Sequence, residues 1–192
     1  MEEKLFQYAD GKAQIKKVNK FLCISTAILY FLSYVIVTVS FLQGNRTALY
    51  AVSMLIVMLT TIITGFVLLK KDSGNEKLRY IMMIGLCIVT AMLIYAYVDY
   101  YMRFLAAMPF IGCALFFDTK FSKLSAIIVA AENIVITLLR QFVWQNYEED
   151  KFVPNLVAGL AVSVLMFLVV YITNLGKAFN QDSLAKIQHE SD

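Results

Sequence analysis

Residues 21–42 read FLCISTAILYFLSYVIVTVSFL, 22 residues without one charged side chain. At about 1.5 Å per helical residue, such a run reaches across a hydrocarbon core roughly 30 Å thick. It is too long for the core of a signal peptide and has no small-residue cleavage site after it, so it is expected to stay in place as a signal anchor. A tight polar turn, Gln43-Gly44-Asn45-Arg46, separates it from a second apolar run at 47–69, TALYAVSMLIVMLTTIITGFVLL. The segment from Lys70 through Asp72 to Asn75 is expected to stop that run. Two runs of this length joined by four polar residues predict a pair of transmembrane helices. Helices are favoured over a barrel, because barrel strands are about ten residues long and alternate in polarity.

Working outward, a third span is predicted at 80–98 and a turn at 99–103. The next is the weakest, because 104–117 supplies only 14 residues and carries Pro109 near its middle. A span at 100–117 restores the length, provided that Arg103 snorkels outward. Spans at 124–142 and 153–175 follow, with Pro154 expected in the first turn of the last. The expected organisation is an all-α integral membrane bundle of six transmembrane helices at 21–175. A basic amphipathic arm at 1–20 precedes it and an exit helix at 176–192 follows. In the arm, Leu5, Phe6, Ile15 and Val18 are interspersed with Lys12, Lys16, Lys17 and Lys20. That pattern suits a helix lying against anionic lipid on the inner surface.

Composition agrees. Of 192 residues, 60% are hydrophobic and 16% charged, with a mean hydropathy of +0.69, whereas soluble domains run nearer a quarter charged. The lipid bilayer is the first expected partner; nucleic acid is not expected. Lysine and arginine set the orientation. With the N-terminus inside, 13 of the 17 basic residues fall on the cytoplasmic side, and only Arg46, Arg103, Arg140 and Lys151 lie outside. Losing the fourth span would move Lys120, Lys123 and the C-terminus outside, so six spans with both ends in the cytoplasm are preferred over five.

Cys23, Cys87 and Cys113 lie in apolar runs at spacings that make neither a CxxC pair nor a metal set, and are read as small buried hydrophobes. The lone histidine is His189, and neither phosphate-binding glycine loops nor a GxSxG elbow occur. No enzyme activity, metal or cofactor is therefore expected; a membrane-embedded enzyme would rest on Glu132 alone.

Glu132 is the sharpest single signal. It is the only carboxylate inside a span and falls near the middle of 124–142, where an ionised group costs about 2.5–3.5 kcal/mol on insertion scales. Asn133 adjoins it, and Tyr30, Tyr34, Thr60, Thr61, Thr90 and Ser163 are expected at similar depth. One reading is a ligand or ion contact, or a proton-sensitive switch; the other is a protonated interhelical hydrogen-bond partner. A second constellation is the outer rim: Tyr95, Tyr97, Asp99, Tyr100, Tyr101 and Arg103, with Trp144, Tyr147, Glu148, Glu149 and Asp150. Aromatic residues beside acids suit a cationic ligand, and equally an interfacial aromatic belt. Glu132, Asn133, Tyr95, Asp99 and Trp144 are the candidate ligand-binding residues. Asn45-Arg46-Thr47 matches a glycosylation sequon in a turn too close to the membrane to be used.

Past Leu175 the chain turns polar. Leu175 and Phe179 are four apart and Leu184 and Ile187 three apart, steps of a heptad seam whose register breaks between them. No glycine or proline closes this helix before Asp192, as expected of a helix leading to a cytoplasmic module.

The runs Gly44-Asn45-Arg46-Thr47, Met108-Pro109 through Phe116-Phe117-Asp118-Thr119-Lys120-Phe121, and Asn174-Leu175-Gly176-Lys177-Ala178-Phe179-Asn180 resemble one family. They are similar to the multi-pass N-terminal sensor regions of clostridial-type bacterial methyl-accepting chemotaxis proteins and related diguanylate cyclases. The resemblance implies a bacterial plasma-membrane receptor, with a cytoplasmic signalling domain after the last helix, and supplies no catalytic residue. The expected function is signal transduction, in which a small ligand or membrane state shifts helix packing in a homodimer and moves helix six. The alternative is a six-helix substrate-binding subunit of a vitamin-type uptake system. Glu132 and the outer aromatics favour it; the scarcity of glycine and the polar exit helix oppose it.

Overall fold

The structure, a computed structural model, describes residues 11–97, 102–113, 118–145 and 149–191. Among them the chain forms helices and no strand: α1 (Gly11–Leu42), α2 (Ala48–Lys71), α3 (Glu76–Ala96), α4 (Met102–Cys113), α5 (Thr119–Phe142) and α6 (Glu149–Ser191). Helices are what a lipid solvent demands, because each apolar run then satisfies its own backbone N–H and C=O groups. Five of the six are long and apolar enough to cross a membrane, and the protein is a multi-pass membrane protein. The described α4 has 12 residues, about 18 Å at 1.5 Å per residue. The flanks of the expected span, 100–101 and 114–117, lie outside the described residues.

Short polar side chains set the helix ends. Thr47 accepts from the backbone N–H of Tyr50 (3.3 Å), Asn75 from Lys77 (2.9 Å) and Asp118 from Phe121 (3.1 Å), the N-cap arrangement. At the end of α1 the N–H of Gly44 reaches the carbonyl of Phe41, and that of Asn45 reaches Ser40, both at 2.9 Å. This is a Schellman turn, and Gly44 has the φ of +75° that its left-handed position requires.

Three boundaries differ from the sequence reading. Residues 11–20 are not a separate surface helix but the first turns of α1. Val18, Asn19 and Leu22 are buried there, and Asn19 donates to the carbonyls of Ser73 and Asn75, both at 2.9 Å. This anchorage to the α2–α3 loop draws the segment onto the bundle; residues 1–10 of the arm lie outside the described residues. Helix α6 starts at Glu149, so Pro154 is its sixth residue and not in its first turn. Finally, α2 runs on through Lys70 and Lys71 to a cap at Asp72.

Side-chain pairs fix the direction of each helix. Arg79, in the first turn of α3, forms an ion pair with Asp118 at the start of α5. At the other end, Arg140 of α5 donates to the carbonyls of Ile94 (2.8 Å) and Tyr97 (3.0 Å), where α3 finishes. Helices α3 and α5 therefore run parallel, and the chain between them, α4 included, returns from one end of the bundle to the other. The hydroxyls of Ser122 and Thr173 lie 3.2 Å apart, which brings the late part of α6 to the end where α5 begins. Through Asn19, α1 enters at that same end.

Helix α3 packs against α1, α2, α4 and α5, whereas α6 packs chiefly along α5. Leu78, Met82, Leu86, Val89 and Leu93 of α3 are fully buried. Outward-facing side chains are just as apolar, among them Phe31, Ile56, Ile84, Ile127 and Val164. With apolar surface on both sides, burial cannot drive association, and close packing must hold the helices together. Gly85 shows this. A Cβ there would lie 2.8 Å from the Cβ of Thr61, and Thr61 is held by its own bond to the carbonyl of Val57 (2.8 Å). Gly85→Ala is therefore expected to cost about 1–3 kcal/mol from overpacking, despite the roughly 1 kcal/mol that alanine gains in helix propensity. Gly74→Ala, where the nearest atom is 3.5 Å away, should be nearly neutral. Thermal unfolding in detergent checks this pair, and equal effects would contradict it.

Candidate functional site

Helices α3 and α5 face each other across a groove of about 550 Å³, lined by Met83, Cys87, Ala91, Ile128, Ala131, Glu132 and Ile136. Its rim residues Ile84, Ile88, Ile127 and Val135 are exposed on the apolar outer surface. Glu132 is the one acid in this wall. Its Oε1 accepts from the hydroxyl of Thr90 at 2.6 Å, so of the residues expected at its depth, Thr90 is the one found bonded to it. The Thr90 hydroxyl also lies 3.0 Å from the carbonyls of Leu86 and Cys87. A hydroxyl has one proton. It can serve the carboxylate, or turn to the main chain and accept from a protonated Glu132. The Cys87 thiol stands beside the same carboxyl group, and Glu132 Oε2 is buried with no nitrogen or oxygen donor among the described residues.

Asn133 turns away from this groove. It is fully buried and donates to the carbonyl of Val129 (2.9 Å). Its own main-chain oxygen accepts from Thr137 (2.7 Å) and from Arg103 Nη1 (3.1 Å). Arg103 reaches Asn155 Oδ1 with Nε at 3.1 Å and Nη2 at 3.0 Å. The expected snorkelling of Arg103 is thus wrong: the side chain is 1% exposed and joins α4, α5 and α6. Planar guanidinium donors find two fixed oxygens inside the bundle, which a route to water would forgo.

Tyr95 and Trp144 meet at the other predicted location, the end of the bundle that carries the Gly44 turn. Their rings stand edge to face, 5.0 Å apart at 83°. Arg46 lies over the ring of Tyr97 at 5.0 Å and donates to the carbonyl of Ala96. Tyr50 donates to Met92 (3.1 Å), and Arg140 covers Ile94 and Tyr97. The carbonyls of Ile94, Ala96 and Tyr97, beyond the reach of the helix's own N–H groups, thus receive donors from the α1–α2 turn and from α5, and Tyr50 of α2 adds a bond one turn earlier. Cations at this end also suit the negative pole of the helix dipole. Asp99, Tyr100, Tyr101, Tyr147 and Glu148 lie outside the described residues. The predicted site residues therefore separate: Glu132 in the groove, Tyr95 and Trp144 at the rim, Asn133 about 100° around α5 from Glu132 and turned into the bundle. Among the described residues, no group of three histidine, cysteine, aspartate or glutamate side chains could hold a metal ion.

The residues that sequence reasoning passed over are arginines. All four in the chain, Arg46, Arg79, Arg103 and Arg140, are buried or half-buried, while every described lysine from Lys16 to Lys186 except half-buried Lys17 is exposed. The signal was present in the choice of arginine over lysine, because only arginine offers five donors in a rigid fork.

Replacing Arg140 by Gln should cost about 1–3 kcal/mol, since buried carbonyls lose their donors, and Arg140→Lys should restore only part of it. Lys123→Gln, on the exposed face, should stay within about 0.5 kcal/mol. Unfolding midpoints in detergent measure the series; equal loss at the two sites would contradict this ranking. In comparisons with protein families, with curated proteins and with solved structures, nothing matches the chain.

Proposed function

We propose that the chain is the sensor region of a bacterial plasma-membrane receptor, crossing the bilayer six times with both ends in the cytoplasm. The observation that carries this reading is α6. It runs unbroken for 43 residues, about 65 Å at 1.5 Å per residue, twice the thickness of a hydrocarbon core. Its apolar part packs along α5, and its polar continuation, with Lys177, Asp182 and Lys186 exposed, extends beyond the Ser122–Thr173 contact. A one-piece rod of this kind passes displacement from the bundle to whatever follows it. Shifts of 1–2 Å at a packed interface suffice to bias a two-state module.

Two features support the orientation. Parallel α3 and α5 require a return crossing through α4, which favours an even number of spans. The exposed lysines Lys16, Lys20, Lys70, Lys71, Lys77, Lys120, Lys123, Lys177 and Lys186 belong to the segments at one end and Lys151 to the other, where Arg46 and Arg140 are engaged with the end of α3. This arrangement follows the positive-inside rule. Helix α5 links the candidate sites to α6, because it carries Glu132 in the α3 groove and Arg140 at the rim. The uptake-subunit alternative rests on the Glu132 groove, and substrate co-purifying with the chain would favour it.

With a surrogate cytoplasmic output module fused to the chain, one residue inserted after Leu175 turns the following helix by about 100° and should change basal output several-fold. Seven inserted residues, about two turns, should restore most of it. Glu132→Gln should shift the response without abolishing expression. Output indifferent to both changes would contradict the receptor reading.

A further inference from the structure

At the Gly44 end, the α1–α2 turn, α2, the last turn of α3 and the end of α5 enclose a second cavity of about 510 Å³. That is the size of a small-molecule site. Its walls include Arg46, Arg140, Tyr50 and Tyr95, and no acidic residue stands among its described lining residues. Trp144 abuts it through its edge-to-face contact with Tyr95.

Arg46 is the informative wall. One of its five N–H groups is given to the carbonyl of Ala96. Its Nε is buried without a hydrogen-bond partner, and among the described residues it forms no ion pair. The carbonyl and the Tyr97 ring hold the guanidinium in place and bring no negative charge of their own to it. A planar fork fixed in this way matches a carboxylate or phosphate, which accepts two parallel N–H bonds. Arg140 adds positive charge from the opposite wall, and α2 presents the positive end of its dipole beside Thr47. The aromatic pair provides an apolar surface for the body of such a ligand.

We infer that this cavity is a binding site for a small anion, a carboxylate or phosphate, with Arg46 as its direct contact. The tyrosines and acids of the rim suggest a cationic ligand from sequence, whereas the charged side chains among the described lining of this cavity are two arginines, Arg46 and Arg140. The inference does not depend on the receptor reading. Binding is read on the isolated chain, so a protein that binds anions but fails to drive an output module would contradict only that reading.

Trp144 is the single tryptophan, and its emission reports on the site directly. The chain in dodecyl maltoside micelles, at constant ionic strength, is titrated with inorganic phosphate, benzoate or soluble dihexanoyl phosphatidylglycerol, with choline as the cationic control. A saturable change in Trp144 emission is expected with at least one anion and none with choline. Response to phosphate or benzoate identifies a soluble ligand; response to the phosphatidylglycerol alone identifies a lipid headgroup. Arg46→Gln should weaken binding at least tenfold. Arg46→Lys, which keeps the charge but not the fork, should weaken it less, and guards against a folding defect from the lost Ala96 contact. No saturable response to any anion, an equal response to choline, or unchanged affinity in both variants would overturn the inference.

Discussion

A carbonyl at the end of a helix has no N–H of its own helix to meet it, and where packing shuts out water another donor must reach it. The bundle is arranged around that constraint. Helix α3 has four packing partners, and its final turn is supplied with donors by Tyr50, Arg46 and Arg140. These contacts bring the start of α2 and the end of α5 to one end of α3. At its beginning, Arg79 holds Asp118 and so the start of α5. With both ends of α5 tied to the matching ends of α3, the two helices are parallel, and the short α4 must return between them.

That arrangement explains how a chain so poor in charge uses its arginines. Arg103 does between α4, α5 and α6 what Arg140 does between α3 and α5: it ties helices together by donating from one fixed fork to oxygens of its neighbours. Three of the four basic residues that a count along the sequence assigns to outer loops, Arg46, Arg103 and Arg140, are in this way engaged with the helices, and Lys151 is exposed. Position on the helix decides which polar groups reach a cavity. Glu132 and Asn133 are adjacent in sequence, yet about 100° apart on α5; one faces the apolar groove and the other the Arg103 cluster.

Much of the fold was legible in the residues. Charge-free runs such as 21–42, the turn at Gly44, and the approximate places of the spans all follow from hydropathy and turn chemistry. What hydropathy could not register was where polar contacts override it. Asn19 draws the end of the basic arm onto the bundle. Glu149 opens α6 ahead of Pro154, and the fork of Arg103 prefers two fixed oxygens to the interface. For the candidate site, depth alone reduced the donors for Glu132 to six residues, and only the packing of α3 on α5 selects Thr90 among them. The face of α5 on which Asn133 lies, and the meeting of Arg46 and Arg140 at one cavity, depend on rotation about helix axes, which composition does not encode.

The account depends most on α6 leaving the bundle at the end where α1 enters, away from the Gly44 turn. Single cysteines at Asn45→Cys and Asp182→Cys, in a background without Cys23, Cys87 and Cys113, can be labelled with a membrane-impermeant maleimide. Labelling of Asn45→Cys on intact cells, with Asp182→Cys reached only after permeabilisation, is the predicted result. Labelling of Asp182→Cys on intact cells would contradict it.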